Sequence, residues 1–523
     1  MLEKNNIFRV ALILSAIFLL SHQLFSQSNV LELLPGAEKS EFNKKTGMLS
    51  LIGGPNGVNF RYQGNTMYCD SAHFWSNSNE VRAYGNVHIT KEAMNLYCDS
   101  LYYNGKTRFA KLWGNVRVRD QEYKILTDTL DYDAKRSVAI YRHGGRVENI
   151  LKKEMLTSKI GYMYPDSKNF LFGGRVVYKS DDLKITTDTL KYTYSKKITS
   201  FFGPTNILKT NLETKKETKI YCERGWFNTD TEEGNLKKNA SIHNGNQIMS
   251  GEDLYSYSKI GLAIGKGNVV YKDTTQKIEF RGNYAYSDEK KNKAFLTGKA
   301  VVLKIDKKDT LFIHADTLFS YRDSLGYASV VEGYQKVKFF RNDLQGKCDT
   351  ILYDRAAGKM EMHSEPILWV KTKVELKGDF IEVLFESDSM VKQANVFGNS
   401  TVLVEVDSGK YYHQMGGKDI NAFFKNNNLY RTDVMGNAKT IFYPEDEAST
   451  DTTVVIKRLG MNRIYASDLK VYVDSNEVDG VTYLDKPDGV FYPMDQIKKE
   501  EQFIQGFKWQ AFLRPKKWSE IFD

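Results

Sequence analysis

Residues 96–103 read Leu96-Tyr-Cys-Asp-Ser-Leu-Tyr-Tyr103, and close variants return along the chain as Tyr68-Cys-Asp-Ser-Ala-His-Phe74, Leu126-Thr-Asp-Thr-Leu-Asp-Tyr132, Thr186-Thr-Asp-Thr-Leu-Lys-Tyr192, His314-Ala-Asp-Thr-Leu-Phe-Ser320 and Lys347-Cys-Asp-Thr-Ile-Leu-Tyr353. The centre of each copy is Asp followed by Ser or Thr. Asp70 to Asp99 is 29 residues and Asp99 to Asp128 another 29, whereas Asp128 to Asp188 is 60, room for two repeats with a divergent copy at Thr157-Ser-Lys-Ile160 between them. Weaker copies at Tyr221-Cys-Glu223, Gly251-Glu-Asp-Leu254, Lys377-Gly-Asp-Phe380 and Ala466-Ser-Asp-Leu469 bring the count to about a dozen repeats of roughly 30 residues.

A second signature fills the other half of each repeat. Val81, Ala83, Gly85, Val87 and Ile89 alternate with polar or aromatic residues, and the register returns as Ala110, Leu112, Gly114, Val116 and Val118. It recurs at Ala294, Leu296, Gly298, Ala300 and Val302, and at Ala394, Val396, Gly398, Val402, Val404 and Val406. A period of two means strand with one apolar face. Gly-Asn stands at 85–86, 114–115, 267–268, 398–399 and 436–437, and the apolar register runs on through it. The dipeptide therefore predicts a bulge or sharp bend inside a strand, not a hairpin turn.

Turn residues separate the halves, among them Asn77-Ser-Asn79, Asn104-Gly105, Pro165-Asp-Ser167 and Asn426-Asn-Asn428. Between Phe60 and Tyr443 no apolar helical period appears, which excludes crossover helices and a parallel α/β sheet. Composition agrees: 32 Tyr and 29 Phe favour strands, while nine Pro and four Cys fit neither a collagen-like stalk nor a disulfide framework. The expected fold is all-β, an elongated repeat array of bent antiparallel strands. Met494, Ile497, Ile504, Phe507 and Ala511 fall at helical spacing after Pro493, so residues 486–523 are expected to form a helical tail or cap.

Residues 1–26 read as a secretory signal peptide. Lys4 and Arg9 precede an apolar run from Val10 to Leu20, with small polar residues at Ser26-Gln27-Ser28. Export to the periplasm is implied, with association to the inner or outer membrane left open. Net charge is +9 from 74 Lys+Arg and 65 Asp+Glu, without a long basic run, so nucleic acid is not an expected partner. The expected division is a first stack over 27–203, a break at Pro204–Lys219, a second stack over 220–443, and a divergent repeat over 444–485 behind a second break at Pro444–Thr453.

The paired signatures, apolar-x-(Cys/Thr)-Asp-(Ser/Thr)-Leu-x-Tyr followed by apolar-x-Ala-x-Gly-Asn-Val-x-apolar, resemble the OstA-like repeats of the lipopolysaccharide-transport proteins LptA, LptC and the periplasmic part of LptD. The resemblance covers about Val30 to Tyr483 and rests on a repeated pattern rather than a catalytic motif. It implies a bent-sheet β-jellyroll, open along one side, whose apolar interior holds lipid A acyl chains while sugars and phosphates stay outside. It implies a non-enzymatic carrier or bridge without a cofactor. Its partners would be lipopolysaccharide and other transport components stacked edge to edge, self-association included. A single module of that family is much shorter, and no LptD-type barrel follows the repeats here.

Each buried methylene is worth about 0.8 kcal/mol, so a carrier for acyl chains needs a continuous apolar trough. The candidate lining residues are Val81, Val87, Ile89, Leu112, Val116, Val118, Leu296, Val302, Val396, Val402 and Val404; the competing reading is that they pack a dry core. Arg82, Lys111, Arg117 and Arg119 are candidates for phosphate contacts, against the ordinary role of charges on a solvated face. Copies of the Asp position lie near 9.5 Å apart at two strands per repeat, too far to share a cation, so a hydrogen-bonding role at a bend is expected instead of a metal site. Antiparallel spacing likewise keeps Cys69, Cys98, Cys222 and Cys348 as free, buried thiols. No catalytic residues are identified. The rival functions are a β-solenoid that binds or cleaves polysaccharide and a structural surface solenoid with a closed core.

Overall fold

The computed structural model describes residues 32–523 except 63–64, 92–93, 122, 152, 165, 168, 229, 258, 307–308, 325, 372, 388–389, 451–452 and 475–476. The signal-peptide segment lies outside the described residues. The chain divides into two compact units, residues 1–263 and 264–523. Each is built of antiparallel strands joined by short turns, as the alternating pattern predicts, and no α-helix occurs among the described residues.

The two repeat signatures meet in space, which explains why the chain carries both. Strand Glu80–Lys91 pairs with Met94–Asn104 through Tyr84↔Ser100 and then Val87↔Cys98, leaving Gly85-Asn86 opposite Asp99 alone. Gly85 and Asn86 both adopt left-handed φ, 71° and 45°, a conformation open to glycine and tolerated by asparagine. On the preceding strand the Asp70 backbone N–H donates to Tyr84 O at 3.1 Å and Gly85 O at 2.9 Å. Its carboxylate accepts from Asn86 Nδ2 at 2.9 Å, and a side chain at Gly85 would collide with that carboxylate. The same clasp joins Asn115 to Asp99 (3.0 Å), Asn239 to Glu223 (2.8 Å) and Asn399 to Asp379 (3.4 Å). The repeated acid is thus a fastener for the neighbouring bend.

The bend also forms where the dipeptide is missing. Lys238-Asn239, Gln335-Lys336, Ser364-Glu365 and Asp485-Lys486 take the left-handed pair in its place. Pro204 follows left-handed Gly203 at the bend of strand Ile198–Thr210, where register slips between Phe202 and Thr205 and a missing N–H costs no ladder bond. This strand pairs with Glu217–Asn228, so the polar segment 211–216 is a turn between paired strands.

Each bend divides its strand into two arms whose inward residues share one core. In the N-terminal unit the cluster joins Ala72, Ala83, Leu101 and Leu130 of one arm to Val87, Cys98, Val116, Ile125 and Val147 of the other. In the C-terminal unit the equivalent cluster runs from Leu296 to Val471. The residue just before the acid is inward and small, as Cys98, Thr127, Thr187, Cys222, Ala315 and Cys348 are all buried, because the inside of a bend has little room.

The expected helical tail is not formed. After strand Asp488–Pro493 the chain makes only 3-10 turns, at Met494–Gln496, Lys499–Glu501, Ala511–Leu513 and Trp518–Phe522. The extended stretches between them are held from outside by the sheet. Arg463 pairs with Glu501; Gln414 Nε2 donates to Gln502 O at 2.8 Å and its Oε1 accepts from Ile504 N at 3.0 Å. Buried Glu375 accepts from Gln510 N at 2.9 Å and from Trp369 Nε1 at 2.8 Å. Ile521 is buried on Val301 and Leu303. The helical spacing of Ile504 and Phe507 records contact with this outer face, not a helix.

Candidate functional site: the apolar interior

The structure places most of the expected lining residues in the two cores. Val87, Leu112, Val116 and Val118 belong to the N-terminal cluster, with Ile89 half-buried against it. Leu296, Val302, Val396 and Val402 belong to the C-terminal cluster, with Val404 half-buried against it. Val81 is buried but stands outside its unit's cluster. Val87 and Val396 are 0% exposed and Val116 1%, so in this state the arms are closed on packed side chains.

Residues that the strand pattern passed over border the cores at the strand ends. Met67, Met94 and Leu96 flank Ile89 at the strand ends and stay half-buried against the N-terminal core, with Met67 and Leu96 paired to Ile89 on either side. Leu311, Ile313, Val370 and Val374 do the same in the C-terminal unit. A gap of about 10 Å³, no more than the room of one water, lies between Met94, Val118, Asp120, Tyr123 and Ile125. The signal was present in the quoted repeat itself, since Leu96 is its first residue and sits in the inward register.

The four basic candidates all face outward. The Arg82 guanidinium lies over the rings of Trp75 at 5.1 Å and Tyr102 at 5.6 Å, and that of Arg117 over Tyr97 at 5.8 Å. Lys111 and Arg119 are exposed, Arg119 being the last residue of strand Phe109–Arg119. Arg82 and Lys111 both neighbour Tyr102 in the ladder, whereas Arg117 and Arg119 lie on the other arm, so the four do not form one cluster.

The four cysteines are free and buried. Burial pushes the thiols of Cys69, Cys98 and Cys348 up to about 12 and that of Cys222 to about 11, which leaves them protonated and unsuited to metal binding or nucleophilic work at neutral pH. His413 is held down to about 4, first by burial and then by the Arg458 charge; its Nδ1 accepts the Tyr443 backbone N–H at 3.3 Å.

Residues 38–188 match the family described as OstA-like protein. No curated protein matches the chain. Among solved structures the chain is similar to LptH of Pseudomonas aeruginosa, described as the LptA-homologous periplasmic component of a conserved lipopolysaccharide transport device. The identity is 13%, covering 22% of this chain and 84% of that one, with a TM-score of 0.21, too low for the likeness to bear on the fold. The family match spans the copies centred on Asp70, Asp99 and Asp128 and ends at Asp188.

Proposed function

We propose that the chain is a non-enzymatic periplasmic carrier that binds lipopolysaccharide by its lipid A acyl chains and helps deliver it to the outer membrane. The observation that carries this reading is the apolar interior between the two arms of every bent strand, bordered by half-buried apolar strand ends. Acyl chains would enter along Met94, Leu96 and Ile89 and settle against Val87, Val116 and Val118, with Leu296, Val302, Val396 and Val402 serving the C-terminal unit. Repeats of one register offer neighbouring sites of similar affinity, so cargo can step along them without a reaction at the protein. Headgroup phosphates stay outside, where Arg119 is the nearest of the basic candidates to the strand ends.

Edge strands support partner stacking. Among the described residues, strand Glu477–Leu484 pairs only with Gly460–Asp474, and it exposes Val478 and Val481; an unpaired edge is a template for another strand. Other transport components, or a second copy, would add there.

The test is to purify the protein from its own envelope under mild conditions and identify extracted lipid by mass spectrometry, with Val116→Asp and Val402→Asp alongside. Lipid A that co-purifies and falls in the folded variants is the expected result. Well-folded, lipid-free protein at good sensitivity would instead favour a closed solenoid.

A further inference from the structure

One outward row of the sheet binds an extended polypeptide in the C-terminal unit, and its counterpart in the N-terminal unit is uncovered and basic. In the C-terminal unit the row lies four residues past the bends, at Leu303, Trp369, Leu403 and Ile441, with Glu375 and Gln414 on the strands between. The tail 501–521 lies along it, held by side chains that bond its backbone. The same row in the N-terminal unit runs through Arg119, Lys124, Lys179, Lys184 and Lys219. Glu148 is its one acid, and it is taken up by Lys124 at 3.9 Å and by Arg146. Arg119, Lys179, Lys184 and Lys219 are exposed and make no ion pair among the described residues.

We propose that this row docks an extended acidic segment of a partner polypeptide, in the manner in which the C-terminal unit docks its own tail. The form of the charge favours this partner over a membrane: it follows one ladder row, joined in the adjoining outward row by Arg117 and Arg146, rather than spreading over a broad patch. From Asn95 to His243 the row crosses ten strands. At about 4.8 Å per strand it is roughly 43 Å long, the reach of an extended segment of about 13 residues. Tyr97, Val177 and Tyr221, in the adjoining outward row, supply apolar contact beside the charges. The proposal stands on the ladder register and the charge alone and does not depend on the lipid-carrier reading.

The test is fluorescence anisotropy of the full chain with a labelled 16-residue peptide alternating Glu and Thr, beside the same peptide with Gln for Glu and vesicles of anionic phospholipid. The Glu peptide is expected to bind saturably and to weaken steeply as salt rises from 50 to 200 mM. The triple variant Lys179→Glu, Lys184→Glu, Lys219→Glu, all at exposed positions, is expected to lose at least tenfold in affinity, while Lys425→Glu in the C-terminal unit changes nothing. Equal binding of the Gln peptide, or undiminished binding by the triple variant, would overturn the proposal. Vesicles that bind while the peptide does not would overturn it in favour of a lipid-facing surface.

Discussion

Strand Phe109–Arg119 in the N-terminal unit buries Leu112, Val116 and Val118 and exposes Lys111, Arg117 and Arg119 between them. Strand Lys293–Ile305 in the C-terminal unit buries four residues in succession, Ala300 to Leu303. The backbone is the same in both, a strand with a Gly-led bend and the same inward register. The difference lies outside: in the first case the outer face meets water, and in the second it meets the tail, where Ile521 and the Phe312–Trp518 ring pair, centroids 5.5 Å apart, close over Val301 and Leu303. One repeat template thus serves two purposes, with inward residues building the core and outward residues choosing what covers the sheet.

Substitutions at matched places test the difference between the covered and the uncovered face. Trp369, 0% exposed on the covered face, is expected to cost about 3–5 kcal/mol when changed to Ala, read as a lowered denaturation midpoint. No loss would mean that the tail does not cover this face in solution. Glu375→Ala takes the carboxylate acceptor from the Trp369 Nε1–H and the Gln510 N–H and the ion-pair partner from Lys377, which keeps its bond to Lys508 O, and should cost roughly 1–3 kcal/mol. Limited proteolysis should then cut the tail near Lys508 faster while the N-terminal unit keeps its resistance.

Gly114→Ala sharpens the other side. It places a side chain at φ 79° against the Asp99 carboxylate, for an expected loss of about 1–2 kcal/mol confined to the N-terminal unit. His413 gives the C-terminal unit a pH dependence. Its folded value near 4 lies below the unfolded value of about 6.5, so the unfolded chain takes the proton first. The stability from neutral His413 is present above the unfolded value and is lost as pH falls toward 4. The unaltered chain should therefore lose more in Tm between pH 7 and 5 than His413→Gln, by a few degrees. Smallest of all, Lys179→Ala on the uncovered face should stay within about 0.5 kcal/mol of no effect.

Much of this was legible in the residues. The period of two gave antiparallel strands and Gly-Asn gave the bends, because each follows from local backbone geometry and a face that must be apolar, while the inward valines expected to line a trough stand mostly in packed cores. The tail misled because its apolar spacing reflects docking on a surface that a reader of helical period does not consider. The run Val301-Val302-Leu303 held the missing clue, since a strand apolar on both faces must be covered twice. The bends at Gln335-Lys336 and Ser364-Glu365 were hidden for another reason: they take the left-handed pair although neither position holds the glycine or asparagine that would advertise it.

The most direct test of the carrier reading is photocrosslinking in the intact envelope, with p-benzoylphenylalanine replacing inward Val118 in one chain and outward Arg117 in another. Val118 lines the gap at the strand ends and Arg117 lies on the opposite face. A lipopolysaccharide adduct is expected at position 118 and none at 117. Adducts at neither position, or equally at both, would contradict an acyl-chain path between the arms.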